Sequence, residues 1–500
     1  MAIFDLLDEY EQIQLRIIVT LENMPAPVIT TVSELSRLLG ASEFVIKKAV
    51  QTLAHESMDE LSWLFTLTFD RNTITYVRVT NSSPVTSIRY LYSRRSDTVQ
   101  ILESSFEEDF TNVEDFSNKS LMSRTNFFRR RKRLMAYFRK HHLALSELLV
   151  LTGDEISVRE FYYHYYSVIF CDFEYPFSNT SLKTSTNMIK ELAERLDFQL
   201  SPTNQLNLIY YTYIGYRRIA NGHLVNQYNV GSRMFFSPET LLVDSENVAI
   251  AIEILDKTLQ GEGIHLSEEE LAWEAVSYLN FLLAMNILPI SLHKNVALQN
   301  HIAPIKELLG KTFATHFSLS YWSIAPMFFK KETTPLDTYL LRLLGYTQPL
   351  SEVTTHQRSA YLMENFAEYL DVSKEFFAKF LTQFPDKLTD FETNQENFYN
   401  DLLYLLVITI PRTIIEKPLV VALDFSYGYA YTESLKARIV ATSNHNIIVT
   451  NEFTDKADIL LSNITPHDAK NAVHIEWSNP PTRRDWDLFE AAIKALNAQQ

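Results

Sequence analysis

The densest chemistry in the sequence is cationic. Between Asn112 and His142 stand nine Lys/Arg and two acidic residues, a local charge of about +7 (nine minus two) in a chain that sums to −16. The remainder therefore carries about −23 (−16 minus 7). Within Asn118–His142, NKSLMSRTNFFRRRKRLMAYFRKHH, the residues Leu121, Phe127, Phe128, Leu134, Met135 and Phe138 recur at near-helical spacing, which predicts one buried face. The opposite face shows Arg124, Arg129, Arg130, Lys132, Arg133 and Lys140. Charge at this density most often neutralises phosphate, so the helix is expected to lie against nucleic acid. A solvated basic face or an acidic protein partner are the plainer readings. His141-His142 close the stretch, where imidazolium suits both the helix C-terminal dipole and a phosphate.

Other chemistries are poorly served. Cys171 is the single cysteine, which excludes an intramolecular disulfide and argues against a Cys-based zinc site. The thirteen histidines show no H-E-x-x-H or similar ligand spacing. Asp424-Phe425-Ser426-Tyr427-Gly428-Tyr429 has one glycine and no Lys-Ser/Thr behind it, so it is not a phosphate cradle. No enzyme, metal or cofactor is expected. His223 stands apart, in Gly215–Val225, GYRRIANGHLV. A helix ending at Asn221-Gly222 leaves it just beyond the last turn, near Arg217 and Arg218. The plain reading is a half-buried or surface histidine; the functional one is a phosphoacceptor with cationic neighbours.

These residues need elements to position them. Composition, with 46% apolar and 21% charged residues and only 10 glycines, indicates a helical globular chain. No run approaches the eighteen apolar residues of a membrane span. Thr30–Ser57 reads as helix, Gly40 turn, helix, with Val32, Leu35, Leu38 and Leu39 inward on the first helix. Ser42 caps the second, with Phe44, Val45, Ile46, Ala49, Val50 and Leu53 inside. Leu64–Val79, alternating around Asp70-Arg71-Asn72, reads as a hairpin, which makes the unit a winged helix. Lys47 and Lys48 then become DNA contacts or merely a solvated face.

The plan repeats. Val85–Phe106 reads as a helix, Asn112–Leu121 as a short one, and Met122-Ser123 as a turn capping the basic helix. A second wing is expected over Ala144–Val158, its tip near Gly153-Asp154. Residues 160–410 are aromatic-rich helices dividing near Pro289–His293, one of them opening on a Ser267–Glu270 capping box. After Pro411 the strands of a small α/β domain alternate with helices. The expected parts are 1–82 and 83–158 (winged helices), 159–289 and 290–411 (helical), and 412–500 (α/β).

In this order the parts resemble the Mga/AtxA-like virulence regulators of Gram-positive bacteria. The most specific stretches are TVSELSRLLGASEFVIKKAVQTL (Thr31–Leu53), FSNKSLMSRTNFFRRRKRL (Phe116–Leu134) and GDEISVREFYYHYY (Gly153–Tyr166). The resemblance implies two PTS regulation domains, phosphorylated on histidine by phosphocarrier proteins of the sugar phosphotransferase system. It also implies an enzyme-IIB-like C-terminal domain that supports homodimers or larger oligomers. His223 is carried over as the first phosphoacceptor. Asn394–Ile410 holds no histidine where relatives carry one, and His265, His293, His316 and His356 are poor substitutes by position. The expectation is a cytoplasmic global regulator, an activator of virulence or sugar-responsive genes, binding double-stranded promoter DNA, with RNA polymerase a further partner and no membrane. Its expected DNA contacts are Ser42, Lys47, Lys48, Lys119, Arg124, Asn126, Arg129, Arg130 and Arg133. The rivals are an RNA-binding antiterminator with the same regulation domains, and an acidic helical scaffold docking a partner through its basic helix.

Overall fold

The computed structural model describes residues 7–170, 175–226, 245–288, 296–330, 332–345, 356–385, 391–443, 445–451, 456–464 and 472–497. The chain is mainly α, 65% helix with small sheets. It divides into two compact units, one formed by Met1–Ala303, Lys331–Leu362 and Phe380–Phe398, the other by Pro304–Lys330, Met363–Lys379 and Tyr399–Gln500.

The first unit opens on a winged helix. Its elements are α1 (Glu9–Glu22), β1 (Val28–Thr31), α2 (Val32–Leu39), α3 (Glu43–Glu56), β2 (Phe65–Asp70) and β3 (Thr73–Arg78). The strands form an antiparallel sheet in the order β1-β3-β2, with Phe65 opposite Arg78 and Asp70 opposite Thr73. The expected hairpin is thus present, its two-residue turn completed by Arg71 at φ 55°. Leu15, Ile18, Leu35, Ile46, Val50, Leu53, Leu67 and Ile74 meet in one core. Ile88 and Tyr92 join that core from α4 (Pro84–Arg94), which packs along α1.

The helix expected over Val85–Phe106 is two helices, because α5 (Asp97–Glu107) starts afresh at Ser96. The Ser96 hydroxyl accepts from Thr98 N and so competes with the helical ladder. Arg95 fills the break, bonding Glu11 (3.0 Å), Glu56 (3.1 Å) and Glu60 (2.9 Å) with its guanidinium 4.3 Å from the Tyr92 ring centroid. Burial works against its charge, yet the Glu56 and Glu11 hydrogen bonds leave its pKa raised.

Next come α6 (Val113–Ser120), α7 (Arg124–Lys140), β4 (Ala144–Leu145), β5 (Leu151–Thr152) and α8 (Glu155–Phe170). The second wing is shorter than expected, two residues on each side around a Ser146–Val150 tip. Gly153-Asp154 is the entry to α8, where the Asp154 carboxylate accepts from Ser157 N at 3.1 Å. Ile156–Val158 are therefore helical. Gly153 turns the chain at φ 150°, a backbone conformation that residues with a Cβ rarely adopt.

The two helix-turn-helix motifs superpose in sequence at a constant spacing of 81. Thr31 and Asn112 cap the first helices, Gly40 and Leu121 turn left-handed at φ 64° and 57°, and Ser42 and Ser123 cap the second helices.

The unit continues with α9 (Asn179–Arg195), α10 (Pro202–Ala220), α11 (Ser245–Gly261) and α12 (Glu268–Ala284). There α8 packs on α10, α10 on α9, α9 on α11 and α11 on α12. Ser267 and Glu270 form the expected capping box. Helices α13 (Val296–His316), α14 (Tyr321–Phe328), α15 (Pro335–Gly345), α16 (His356–Gln383), α17 (Phe391–Thr409) and α18 (Arg412–Ile415) follow. Helix α14 contains Pro326, and α16 bends at Phe366 (φ −145°). The division expected near Pro289–His293 lies outside the described residues.

In the second unit, β6 (Leu419–Asp424), α19 (Tyr429–Thr442), β7 (Ile447–Thr450), β8 (Ile459–Ser462), β9 (Val473–Glu476) and α20 (Arg483–Asn497) form the expected α/β domain. Its sheet is all-parallel in the order β7-β6-β8-β9. Val421, Leu423, Ile459 and Leu461 pack with Leu435, Ile439, Trp477, Phe489 and Ile493.

Candidate nucleic-acid interface

Helix α7 starts because the Ser123 hydroxyl accepts from Asn126 N at 3.2 Å. It holds because Phe127, Leu134 and Phe138 are buried. Phe127 stacks against Phe110 and tilts on Phe116 of α6, fixing the angle between the two helices. The outward side is Thr125, Phe128, Arg129, Lys132, Arg133, Ala136, Arg139 and Lys140, all exposed. Five of these are cations, and Arg129, Lys132, Arg133, Arg139 and Lys140 recur at intervals of three, four and seven, hence on one side of the helix. Leu121 and Phe128, expected on the buried face, are 93% and 53% exposed.

Not every arginine of the run looks outward. Arg130 is 6% exposed and ion-paired with Asp8, the N-cap of α1. Burial, and then Arg133 beside it, pull its guanidinium below the usual value. The 81-residue spacing explains this placement, because Arg130 stands where the first motif has the core residue Ala49. Arg131 turns to the wing and donates to the Ser146 carbonyl at 3.0 Å. Arg130 was expected to contact DNA; its position instead ties α7 to the first winged helix.

The remaining expected residues divide similarly. Arg124 is exposed and bridges to Glu114 of α6 at 3.0 Å, across the turn. Lys119 is exposed near the end of α6. Asn126 donates to Asp97 at the start of α5 and accepts from Arg129 at 2.6 Å, so it orients Arg129. In the first motif Ser42 is a cap, accepting from Val45 N at 3.4 Å. Lys47 is exposed, with Phe44 and Gln51 on the same face. Lys48 is exposed too, but its ammonium lies 5.3 Å from the Tyr10 ring centroid of α1. Phe44, expected inside, is 78% exposed, because the buried stripe of α3 runs through Ile46, Ala49, Val50 and Leu53.

His223 lies elsewhere in the same unit. Its Nε2 is 2.8 Å from Glu108 at the end of α5. The expected cationic neighbours are already matched by carboxylates: Arg217 with Glu107 at 3.0 Å, Arg218 with Glu155 at 2.8 Å and Glu108 at 3.0 Å. Arg218 also reaches the Leu151 carbonyl of β5. Arg159 extends the network, bonding Glu155, Glu274 and the His223 carbonyl. Burial works against the Arg159 charge, and Glu274 and Glu155 overturn it, leaving the guanidinium raised. Of the other histidines, His316 is bonded to Glu375, while His293 lies outside the described residues.

Residues 81–166 match the family model of the Mga helix-turn-helix domain. The matched stretch contains α4 to α7, the second wing and most of α8. No curated protein matches the chain. Among the described residues no helix is long and apolar enough to cross a membrane.

Proposed function

We propose, for a chain that carries the Mga helix-turn-helix domain and is a DNA-binding transcriptional regulator of that Mga-like kind, that duplex DNA is held mainly by the outward stripe of α7. The observation carrying this reading is that the stripe has five cations and no carboxylate in an otherwise acidic chain. Arg129, Lys132, Arg133, Arg139 and Lys140 neutralise phosphates, and Arg124 and Lys119 flank them. The N-terminal turns of α3 and α7 meet base edges, where the exposed rings of Phe44 and Phe128 suit thymine methyl groups. Lys47 contacts the backbone in the second groove segment. A gel shift with promoter duplex at low salt tests the reading. Arg129/Lys132/Arg133→Ala should abolish the shift that wild type gives, and absence of a wild-type shift would sink it.

The finer reading follows the resemblance: an activator with two phosphotransferase-controlled helical modules, working as a homodimer on promoters of virulence or sugar-responsive genes, with RNA polymerase as partner. His223 is its proposed phosphoacceptor. A phosphoryl group on Nε2 would replace the hydrogen bond to Glu108 with like-charge repulsion and compete for Arg218. That would loosen the hold of the helical module on α5 and the second wing. His223→Asp and His223→Ala should each change promoter occupancy; wild-type behaviour in both would remove this step.

A further inference from the structure

A cavity of about 230 Å3 lies among α9, α10, α11 and α12, apart from the DNA-facing stripe. It is larger than the roughly 150 Å3 that accepts benzene in an apolar core, and hydroxyl and charged groups are set into its mostly apolar walls. Twelve of its twenty-one lining residues carry hydroxyl groups. Its charged lining residues are Arg159, Arg217, Glu262 and Glu274, two of each sign, so no net charge favours an ionic guest. Arg159 and Glu274 pair with each other at 2.6 Å, and Thr184 bonds Glu262 at 3.0 Å. Thr212 and Tyr278 share a hydrogen bond of 2.7 Å. Each of these hydroxyls keeps acceptor capacity for a further partner. Arg217, held to Glu107 through Nη2, retains a buried Nε with no hydrogen-bond partner among the described residues.

We propose that this cavity is a binding site for a small, uncharged polyhydroxylated molecule, of the size and chemistry of a monosaccharide or a sugar alcohol. Hydroxyls that both donate and accept are matched by walls that do the same, and the tyrosine rings supply flat apolar faces for C–H surfaces. The charge balance of the lining disfavours a phosphorylated sugar, whose dianion would find no uncompensated cation. Binding is also linked to the DNA-facing domain through Arg159, which bonds both Glu274 in the lining and Glu155 at the start of α8.

Isothermal titration of the full-length chain with D-glucose, D-mannose, sorbitol and glucose 6-phosphate, without DNA, tests this independently of the DNA-binding reading. At least one of the three neutral compounds should saturate with a Kd on the order of 0.1–1 mM, and glucose 6-phosphate should bind at least tenfold more weakly. Thr212→Val with Tyr278→Phe removes a hydrogen-bonded pair together, keeping shape and leaving neither partner orphaned. The double variant should keep the wild-type Tm without ligand and lose tenfold or more in affinity. No uptake of any neutral compound at tens of millimolar, stronger binding of the phosphate, or undiminished binding by the double variant would each overturn the proposal.

Discussion

Adjacent arginines of one run have opposite assignments. Arg129 is exposed and supported by Asn126, whereas Arg130 is buried against Asp8. Arg129→Ala should weaken duplex binding and lower the slope of log K against log salt by about 1, with Tm unchanged, as read by fluorescence anisotropy across salt. Arg130→Ala should instead lower stability by about 1–2 kcal/mol in urea unfolding, the lower end reflecting a half-exposed Asp8. Leu121 is a third residue whose role differs from its type. It occupies the left-handed turn position that Gly40 fills in the first motif, and its side chain gains no burial in return. Leu121→Gly should therefore raise stability by about 0.5–1 kcal/mol. Counting cations along the sequence finds the run but not these differences. The register against Ala49 and Gly40 finds both, and it is legible only once the two motifs are aligned.

Elements were the most legible level. The caps Ser42, Ser123 and Ser267 stand where the sequence puts them, because side-chain capping needs only local spacing. Ser123→Ala should cost about 1 kcal/mol and loosen the start of α7, measurable as faster amide exchange there. The α/β strands were equally plain, since continuous apolar runs separated by helices leave few alternatives. Its entry into β6 is held by Glu416, whose carboxylate accepts from Asn446 N at 3.0 Å and faces Arg412 and His445. Burial raises its pKa, but the hydrogen bonds from His445 and Asn446, with Arg412, leave it below the usual value. A depressed carboxylate contributes stability above its unfolded pKa and loses it as pH falls through the folded one. Wild type should therefore lose more stability than Glu416→Gln between neutral pH and the acid side of the usual carboxylate range, followed by tryptophan fluorescence. What local pattern could not give was the break at Ser96, where Arg95 finds three carboxylates from α1, α3 and the residues after α3.

At the largest scale, charge and the buried ion network set the terms. The acidic remainder of the chain repels a polyanion, so if duplex DNA is held by the α7 stripe as proposed, its affinity should fall steeply with salt. The helical module reaches the DNA-facing domain through Arg218, which is 1% exposed and bonds Glu155, Glu108 and the Leu151 carbonyl. Arg218→Met leaves two carboxylates short of their partner, and should cost about 3–5 kcal/mol in denaturant unfolding. His223→Ala removes one hydrogen bond to Glu108 while Arg218 still neutralises it, so its cost should be near 1 kcal/mol.

By itself the sequence determined the helical class, the two helix-turn-helix motifs, the first wing, the α/β tail and the position of the basic helix. These rest on periodicity, capping and charge count, which act within a few turns of chain. Tertiary structure decided what Arg130 pairs with, that Phe44 and Phe128 are exposed, and that Arg217 and Arg218 are already paired beside His223. Only it encloses the hydroxyl-lined cavity. The pairings depend on partners tens of residues away, such as Asp8 for Arg130 or Glu108 for His223, and spacing along the chain does not name such partners.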